Sequence, residues 1–415
     1  MSLAPEGEAL APQGLSLVPE GKALAPWGLS LAPEGEALAP WGLSLALWGL
    51  SLAPEGEALA LGAIASTGAD LRPTFQGESM RAVGLYKYLP IEDPESLVDL
   101  DVPKPEPRGR DLLVRVRAVS VNPVDTKVRA PKDKVETEPK ILGWDAAGIV
   151  EAAGEGASLF SPGDEVYYAG SIARQGCDAE YHLVDERIVG RKPRNLTFEE
   201  AAAMPLTTLT AWEALFDRMA VDGRDKTLLV IAGAGGVGSI AIQIAKRMER
   251  MRVIATASRP ETEAWCRELG ADEVIDHRVP LKDEMQRIGA GEADYILCAA
   301  NTEEHLQNMV DVVRPEGKVC LIVGVKGGKP VPINPFQAKS VAICWEYMFT
   351  RAVYETPDME EQHRILNDTA DLLEDGTLRH TLREVVGPLN AENLREAHAR
   401  LESGRTIGKL VLSVP

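Results

Sequence analysis

Residues 227–248 read TLLVIAGAGGVGSIAIQIAKRM. An apolar run, TLLVIA, enters six residues of which four are glycine. The chain then takes on helical spacing, with Ile240, Ile244 and Met248 at i, i+4 and i+8 on one face. Gly233, Gly235 and Gly238 satisfy G-x-G-x-x-G, with Gly236 and Val237 inside the turn. Alone that pattern is weak. Between a strand and a helix it reads as a turn that grips a dinucleotide pyrophosphate. The first glycine permits the tight turn, the second lets the backbone approach the pyrophosphate, and the third lets helix and strand pack closely. The helix N-terminus then offers free N–H groups and a positive dipole end to the phosphates.

Downstream, apolar runs alternate with helical stretches. The runs are Leu228–Ala232, Val253–Ala257, Glu273–Ile275, Tyr295–Ala299, Val319–Val323 and Val341–Trp345. Strands this apolar, separated by helices, predict a parallel sheet covered on both faces, and six of them fit a doubly wound α/β fold. Cofactor choice is written at the end of the second strand. Enzymes that use NAD place Asp or Glu there for the ribose 2′-hydroxyl. Here Ser258 and Arg259 follow VIATA, and a hydroxyl and a guanidinium suit a 2′-phosphate, so NADPH is the expected cofactor. The alternative is that Arg259 is a solvated charge opening the next helix. His277 ends the third strand, either beside the adenosine or in a surface loop.

Upstream, LLVRVRAVSV (112–121) alternates as a half-buried strand does. Short strand-like runs follow at Ala147–Glu151, Glu165–Tyr168 and Ala179–Val184, divided by turns such as Ser161-Pro162-Gly163-Asp164. This predicts a compact, mostly antiparallel β-domain. The tail from about Arg379 is of mixed character and is expected to rejoin it. The first sixty residues repeat a 14-residue unit close to SLAPEGEALAPWGL. Its prolines and glycines interrupt both helix and strand ladders, so a disordered tail is expected, with a partner-binding role for Trp27, Trp41 and Trp48 as the alternative. Met80 opens the folded unit and reads as a natural start. The expected domains are 1–79 (repeats), 80–205 (β-domain), 206–345 (dinucleotide domain) and 346–415 (return to the β-domain).

The net charge is -19, which repels nucleic acid and anionic membrane surfaces, so neither is an expected partner. No apolar stretch is long enough to span a bilayer, and the N-terminus, lacking a basic region ahead of an apolar core, does not read as a secretory signal. Five cysteines without a Cys-x-x-Cys pair speak against a disulfide framework and for a reducing cytoplasm. The six histidines show no ligand-like spacing and are expected at surfaces.

The segments AVSVNPVDTKVR (118–129), LGWDAAGIV (142–150), AAAMPLTTLTAWEAL (201–215), the glycine turn, LGADEVIDH (269–277) and SGRTIGKLVL (403–412) occur in this order. In these the chain resembles the medium-chain dehydrogenase/reductase superfamily, in its zinc-free quinone oxidoreductase branch, from Met80 onward. The resemblance implies a GroES-like β-domain made from both sides of an inserted Rossmann domain, an active site in the cleft between them, and a homodimer joined through the nucleotide domain. Zinc-bearing relatives have a Cys ligand where this chain has Asn122, and a His-Glu pair where it has Trp144 and Asp145. An amide and an indole do not make a catalytic zinc site, so no metal is expected. The resemblance sets Asn122 beside nicotinamide and substrate, against the plainer reading of a turn Asn before Pro123. It sets Thr207 and Thr210 under the nicotinamide and diphosphate, against a helix-start role. Val323 and Gly324 meet the carboxamide, and Tyr168 is a pocket wall or proton donor, or else a core tyrosine. Arg405 and Lys409 reach the phosphates, or else lie in a solvated turn. Asp125 reads as structural, and Cys298 is not read as a nucleophile. Pocket walls are expected from Tyr168–Gly176 and Trp345–Tyr354. Without a metal to polarise an alcohol or simple ketone, the expected substrate is already electrophilic, a quinone or α,β-unsaturated carbonyl. The alternatives are an enoyl-thioester or aldehyde reductase, and an NADPH-binding sensor or scaffold with vestigial catalysis.

Overall fold

A computed structural model describes residues 78–325 and 329–415. The repeat tract, its three tryptophans and the disorder expected for it lie outside the described residues.

The strands in chain order are β1 (Ser79–Tyr88), β2 (Val98–Pro103), β3 (Asp111–Ser120), β4 (Lys132–Ile141), β5 (Ala146–Ala153), β6 (Glu165–Tyr168), β7 (Tyr181–Asp185), β8 (Val189–Arg191), β9 (Thr227–Ile231), β10 (Arg252–Thr256), β11 (Glu273–Ile275), β12 (Ala293–Cys298), β13 (Val313–Leu321), β14 (Ala342–Trp345), β15 (Leu382–Pro388) and β16 (Lys409–Ser413).

Strands β9 to β14 form one parallel sheet in the order β11-β10-β9-β12-β13-β14. The chain runs outward from β9 to β11, then returns to the other side of β9 at β12. That reversal opens a crevice beyond the carboxyl ends of β9 and β12, the place where doubly wound sheets bind ligands. Leu228–Ile231, Val253–Thr256 and Tyr295–Cys298 are buried throughout, because helices cover both faces. Each such Leu, Ile or Val contributes about 1.5–3 kcal/mol by leaving water.

The other sheets belong to the GroES-like part. A three-stranded sheet runs β2-β1-β4, and a seven-stranded sheet runs β15-β16-β3-β5-β6-β8, with β7 also paired to β3. Strand β16 lies against β3, with Val411 opposite Ser120, so the tail does rejoin the β-domain. Strand β3 is more buried than its alternation suggests: Leu112, Leu113 and Val114 are all inside, and Arg115 alone is exposed. Pairing with β16, β5 and β7 leaves it little solvent-facing surface.

All five thiols are free. The histidines are not all at surfaces: His182, His305 and His398 are buried. His182 is held neutral by burial, its pKa pushed down to about 4. His398 is likewise pushed down to about 3 by burial and by the Arg129 charge. No helix among the described residues is long and apolar enough to cross a membrane.

Candidate active site

Beyond the carboxyl ends of β9, β10, β12 and β13 lies a cleft of about 820 Å³. Its floor is the glycine turn. The left-handed residue there is Ala232, at φ 65°, and none of the motif glycines has positive φ. The first glycine is therefore needed for space and not for the turn. A Cβ on Gly233 would stand 2.7 Å from Ala255 Cβ and 3.1 Å from Cys266 Sγ. One on Gly238 would stand 2.5 Å from the Ala232 carbonyl oxygen, so that glycine sets how closely helix and strand approach. A Cβ on Gly235 would make only an ordinary contact, 3.5 Å to the Ala232 carbonyl oxygen, and Gly235 lines the cleft. The helix Gly236–Gln243 starts here with no side-chain cap, so its first amides are unclaimed by side chains.

At one end stand Ser258, Arg259 and His277. Arg259 donates to the Arg405 carbonyl at 2.8 Å and pairs with Glu261 at 2.7 Å. Arg405 contributes only that carbonyl; its side chain is exposed and does not line the cleft. Burial pushes the His277 imidazole down, so it is neutral at physiological pH. At the other end Val323 and Gly324 follow β13, and Trp345, Tyr347, Met348 and Phe349 form a wall. Tyr168–Gly176 contributes no lining to this cleft.

Thr207 and Thr210 line the cleft from the helix Pro205–Trp212. Their hydroxyls donate to the carbonyls of Met204 (3.2 Å) and Leu206 (2.8 Å). Each proton is thus committed to the helix, and what the two hydroxyls offer a ligand is lone pairs.

Asn122 borders the cleft just ahead of the helix Pro123–Arg129, and its amide is enclosed. Nδ2 donates to Asp145 Oδ2 at 2.8 Å and has longer contacts, 3.4 Å, to the carbonyls of Ser120 and Trp144. Oδ1 accepts from the Lys409 ammonium. Lys409 also donates to the Val121 carbonyl (2.9 Å) and Asp145 Oδ2 (3.0 Å). Asp145 Oδ1 accepts from the Leu206 amide at 2.7 Å. Asp125 Oδ2 accepts from the Asn122 backbone N–H at 2.6 Å, which is the structural role expected of it.

Buried carboxyls crowd this end. Burial pushes Asp145 up while Lys409 pulls it back. Asp125 is raised well above the ordinary range by burial and then by the Asp178 charge. Asp178 is pushed up to about 7 by burial alone.

Besides Arg405, two sequence expectations need correction. Lys409 does not turn its charge to the phosphate end; its stem passes Gly236 and its ammonium ends on Asn122 and Asp145. Tyr168 does not line the cleft. It is buried, and its hydroxyl meets His182 Nδ1 at 3.2 Å while His182 Nε2 meets the Gln175 carbonyl at 3.0 Å. Nε2 can only donate to that carbonyl, so Nδ1 accepts and the tyrosine proton is spent on it. The sequence reading also missed the Asp145–Lys409 pair. Its signal was a charge inside each of two apolar stretches, WDAAGIV and GKLVL.

The alcohol dehydrogenase GroES-like domain model matches residues 108–209, and the zinc-binding dehydrogenase model matches residues 236–362. A zinc-type alcohol dehydrogenase-like protein of Staphylococcus aureus is 42% identical over 340 residues, which are 81% of this chain and 100% of the relative. The chain belongs to the medium-chain dehydrogenase/reductase superfamily. A crystal structure of a Rhizobium etli protein assigned to the zinc-dependent alcohol dehydrogenases is 51% identical, with TM-score 0.78, covering 81% of this chain and 98% of that one. The quinone oxidoreductase of Lama guanicoe is 32% identical over 342 residues, 80% of this chain and 97% of the relative. As a member of that superfamily the protein is an oxidoreductase.

Several of these descriptions name zinc, and the residues present do not fit a catalytic zinc. Where metal-bearing members of the superfamily place their ligands this chain has Asn122, Trp144 and Asp145, and the Lys409 ammonium already lies against two of the three. The Trp144 indole N–H donates to the Ser171 carbonyl at 3.2 Å and has no lone pair to give a metal. No group of three or more His, Cys, Asp or Glu side chains gathers to hold a metal among the described residues.

Proposed function

We propose that this protein is an NADPH-dependent, zinc-independent reductase of quinones or α,β-unsaturated carbonyl compounds. The observation that carries the reading is the pairing of a Ser258–Arg259 corner, where no carboxylate lines the cleft, with a lysine-occupied Asn122–Asp145 corner at the other end. The first suits a 2′-phosphate, and the second denies the metal that reduction of an unactivated ketone needs.

When bound, NADPH supplies the hydride. The chain's residues do the rest. The turn Gly233–Gly238 and the amides of Gly236, Val237 and Gly238 cradle the pyrophosphate. Ser258 and Arg259 bond the 2′-phosphate, and His277 packs against the adenosine. Thr207 and Thr210 offer lone pairs to the carboxamide side, with backbone groups at Val323 and Gly324. Asn122 donates to the substrate oxygen on which charge develops. The wall from Trp345 to Phe349 excludes water and binds a flat apolar ring. The same reading takes the protein as a cytoplasmic homodimer joined through the nucleotide domain. Five free thiols suit that compartment, β14 is an edge strand of the parallel sheet among the described residues and offers that edge to a second copy, and the mass in solution tests the dimer.

NADPH oxidation is to be followed with a quinone, an enone, an enoyl thioester and an aldehyde, with a chelator present throughout. Turnover of the first two, unaffected by chelator and faster with NADPH than with NADH, is expected. Chelator-sensitive turnover, or NADPH binding with no turnover on any acceptor, overturns the proposal.

A further inference from the structure

The proposed chemistry does not explain why a buried lysine stands behind Asn122. Lys409 begins β16 and runs under the dinucleotide turn, where a Cβ on Gly236 would meet its Cδ at 3.0 Å. Its ammonium has three oxygen partners, the Val121 carbonyl, Asn122 Oδ1 and Asp145 Oδ2, which account for its three N–H groups. A charged pair in the interior costs free energy that well-packed apolar residues would not, so tying β16 to β3 does not require it. What the ammonium adds is a field. An amide whose oxygen accepts from a cation is a stronger donor at its nitrogen, and low local dielectric magnifies this. One hydrogen of Asn122 Nδ2 goes to Asp145; the other has only the two 3.4 Å contacts, to the Ser120 and Trp144 carbonyls.

We propose that Lys409 is a positioning residue that acts through Asn122: its ammonium fixes the amide and strengthens it as a donor to the substrate oxygen, at the place where zinc-bearing relatives hold their metal. The proposal rests on the reductase reading for its chemistry, but the field at position 122 exists whatever the substrate. Asp145, Asp125, Asp178 and Cys177 are the titratable groups that interact around this spot, and burial favours the neutral form of each, so Lys409 is the one cation among these five; Lys127 lines the same cleft from the helix Pro123–Arg129.

Two experiments test it. In the first, Lys409→Met is compared with Lys409→Met/Asp145→Asn in the NADPH-loaded enzyme. The cation role predicts that kcat falls about 100-fold or more in both, as for loss of one oxyanion donor. KM and the NADPH Kd stay within about threefold, and Lys409→Arg recovers part of the loss. A merely structural lysine predicts that the double variant, which leaves no orphan charge, regains wild-type kcat; that result overturns the proposal. The second needs no turnover and stands even where the Met variants fold poorly. In Asn122→Cys the new thiol is titrated by its thiolate absorbance, as a difference from the parent, and compared with Asn122→Cys/Lys409→Arg and Asn122→Cys/Lys409→Gln. The thiol is expected at least one pKa unit lower with Lys or Arg at 409 than with Gln. Equal values in the three overturn the proposal. Absence of wild-type turnover on every acceptor defeats the reductase reading alone, and the thiol titration still decides the role of Lys409.

Discussion

Arg259 is claimed from two sides. Its guanidinium pairs with Glu261 two residues on, in the first turn of the helix Pro260–Leu269, and donates to the Arg405 carbonyl. A 2′-phosphate arriving at Ser258 must take Arg259 from Glu261, whose charge opposes it. Glu261→Gln is therefore expected to tighten NADPH binding severalfold with NADH little changed, and Arg259→Ala to weaken NADPH binding about 10- to 100-fold. Fluorescence titration of both nucleotides checks this; equal effects on the two would place Arg259 away from the 2′ position. Tyr168 gives the opposite case. Its hydroxyl proton serves His182, and burial raises its pKa far above the ordinary tyrosine range. Tyr168→Phe should keep kcat within about twofold, with the cost falling on stability, by about 1 kcal/mol for a lost buried hydrogen bond. A drop in kcat with the pH profile shifted would return Tyr168 to the chemistry.

At the scale of elements, the glycine turn governs how β9 meets the helix Gly236–Gln243. The contacts awaiting a Cβ at Gly238 are backbone, the Ala232 oxygen at 2.5 Å and the Gly233 Cα at 2.7 Å, so no side chain can move aside. Gly238→Ala should push the helix N-terminus off the turn. The expected outcome is NADPH affinity lower by at least tenfold together with a lower Tm, read by titration and by thermal melting. This element was legible in the sequence because motif, strand and helix lie within 22 consecutive residues. The central parallel strands β9, β10 and β12 were legible for a similar reason, since burial on both faces writes an unbroken apolar run. The Asn122 corner was legible only in part. Asn122 and Asp145 could be named from their segments, but their partner Lys409 lies 264 residues beyond Asp145. No periodicity carries a contact across that span. Spacing also does not say which way Lys409 turns, so neither the phosphate end nor a solvated turn, the two places the sequence offers for it, is where its ammonium lies.

For the whole molecule, the buried carboxyls set a pH dependence. Asp178 has no hydrogen-bond partner on either oxygen among the described residues, and burial lifts it from the ordinary 3.8 to about 7. Between those values the folded state binds a proton that the unfolded state releases, so stability falls as pH rises through the window and the contribution is gone above about pH 7. Asp178→Asn removes this term. Its Tm should gain on the wild type steadily from about pH 4 to 7 and keep the gap above that, by up to about 4 kcal/mol of differential stability. A gap that does not change with pH in thermal melts would mean that Asp178 is not the titrating group.

The pairing of β16 with β3 carries a consequence for how the protein is made. Ser120 bonds to Leu410, 290 residues later. At about 5–20 residues per second, a ribosome leaves β3 without that neighbour for roughly 15 to 60 s. All six strands of the parallel sheet are translated in that interval and can fold before the β-sheet closes around β3. The nascent chain thus carries one finished lobe and one with an unpaired strand edge, the surface on which a chaperone would bind and on which neighbouring chains on a polysome would aggregate.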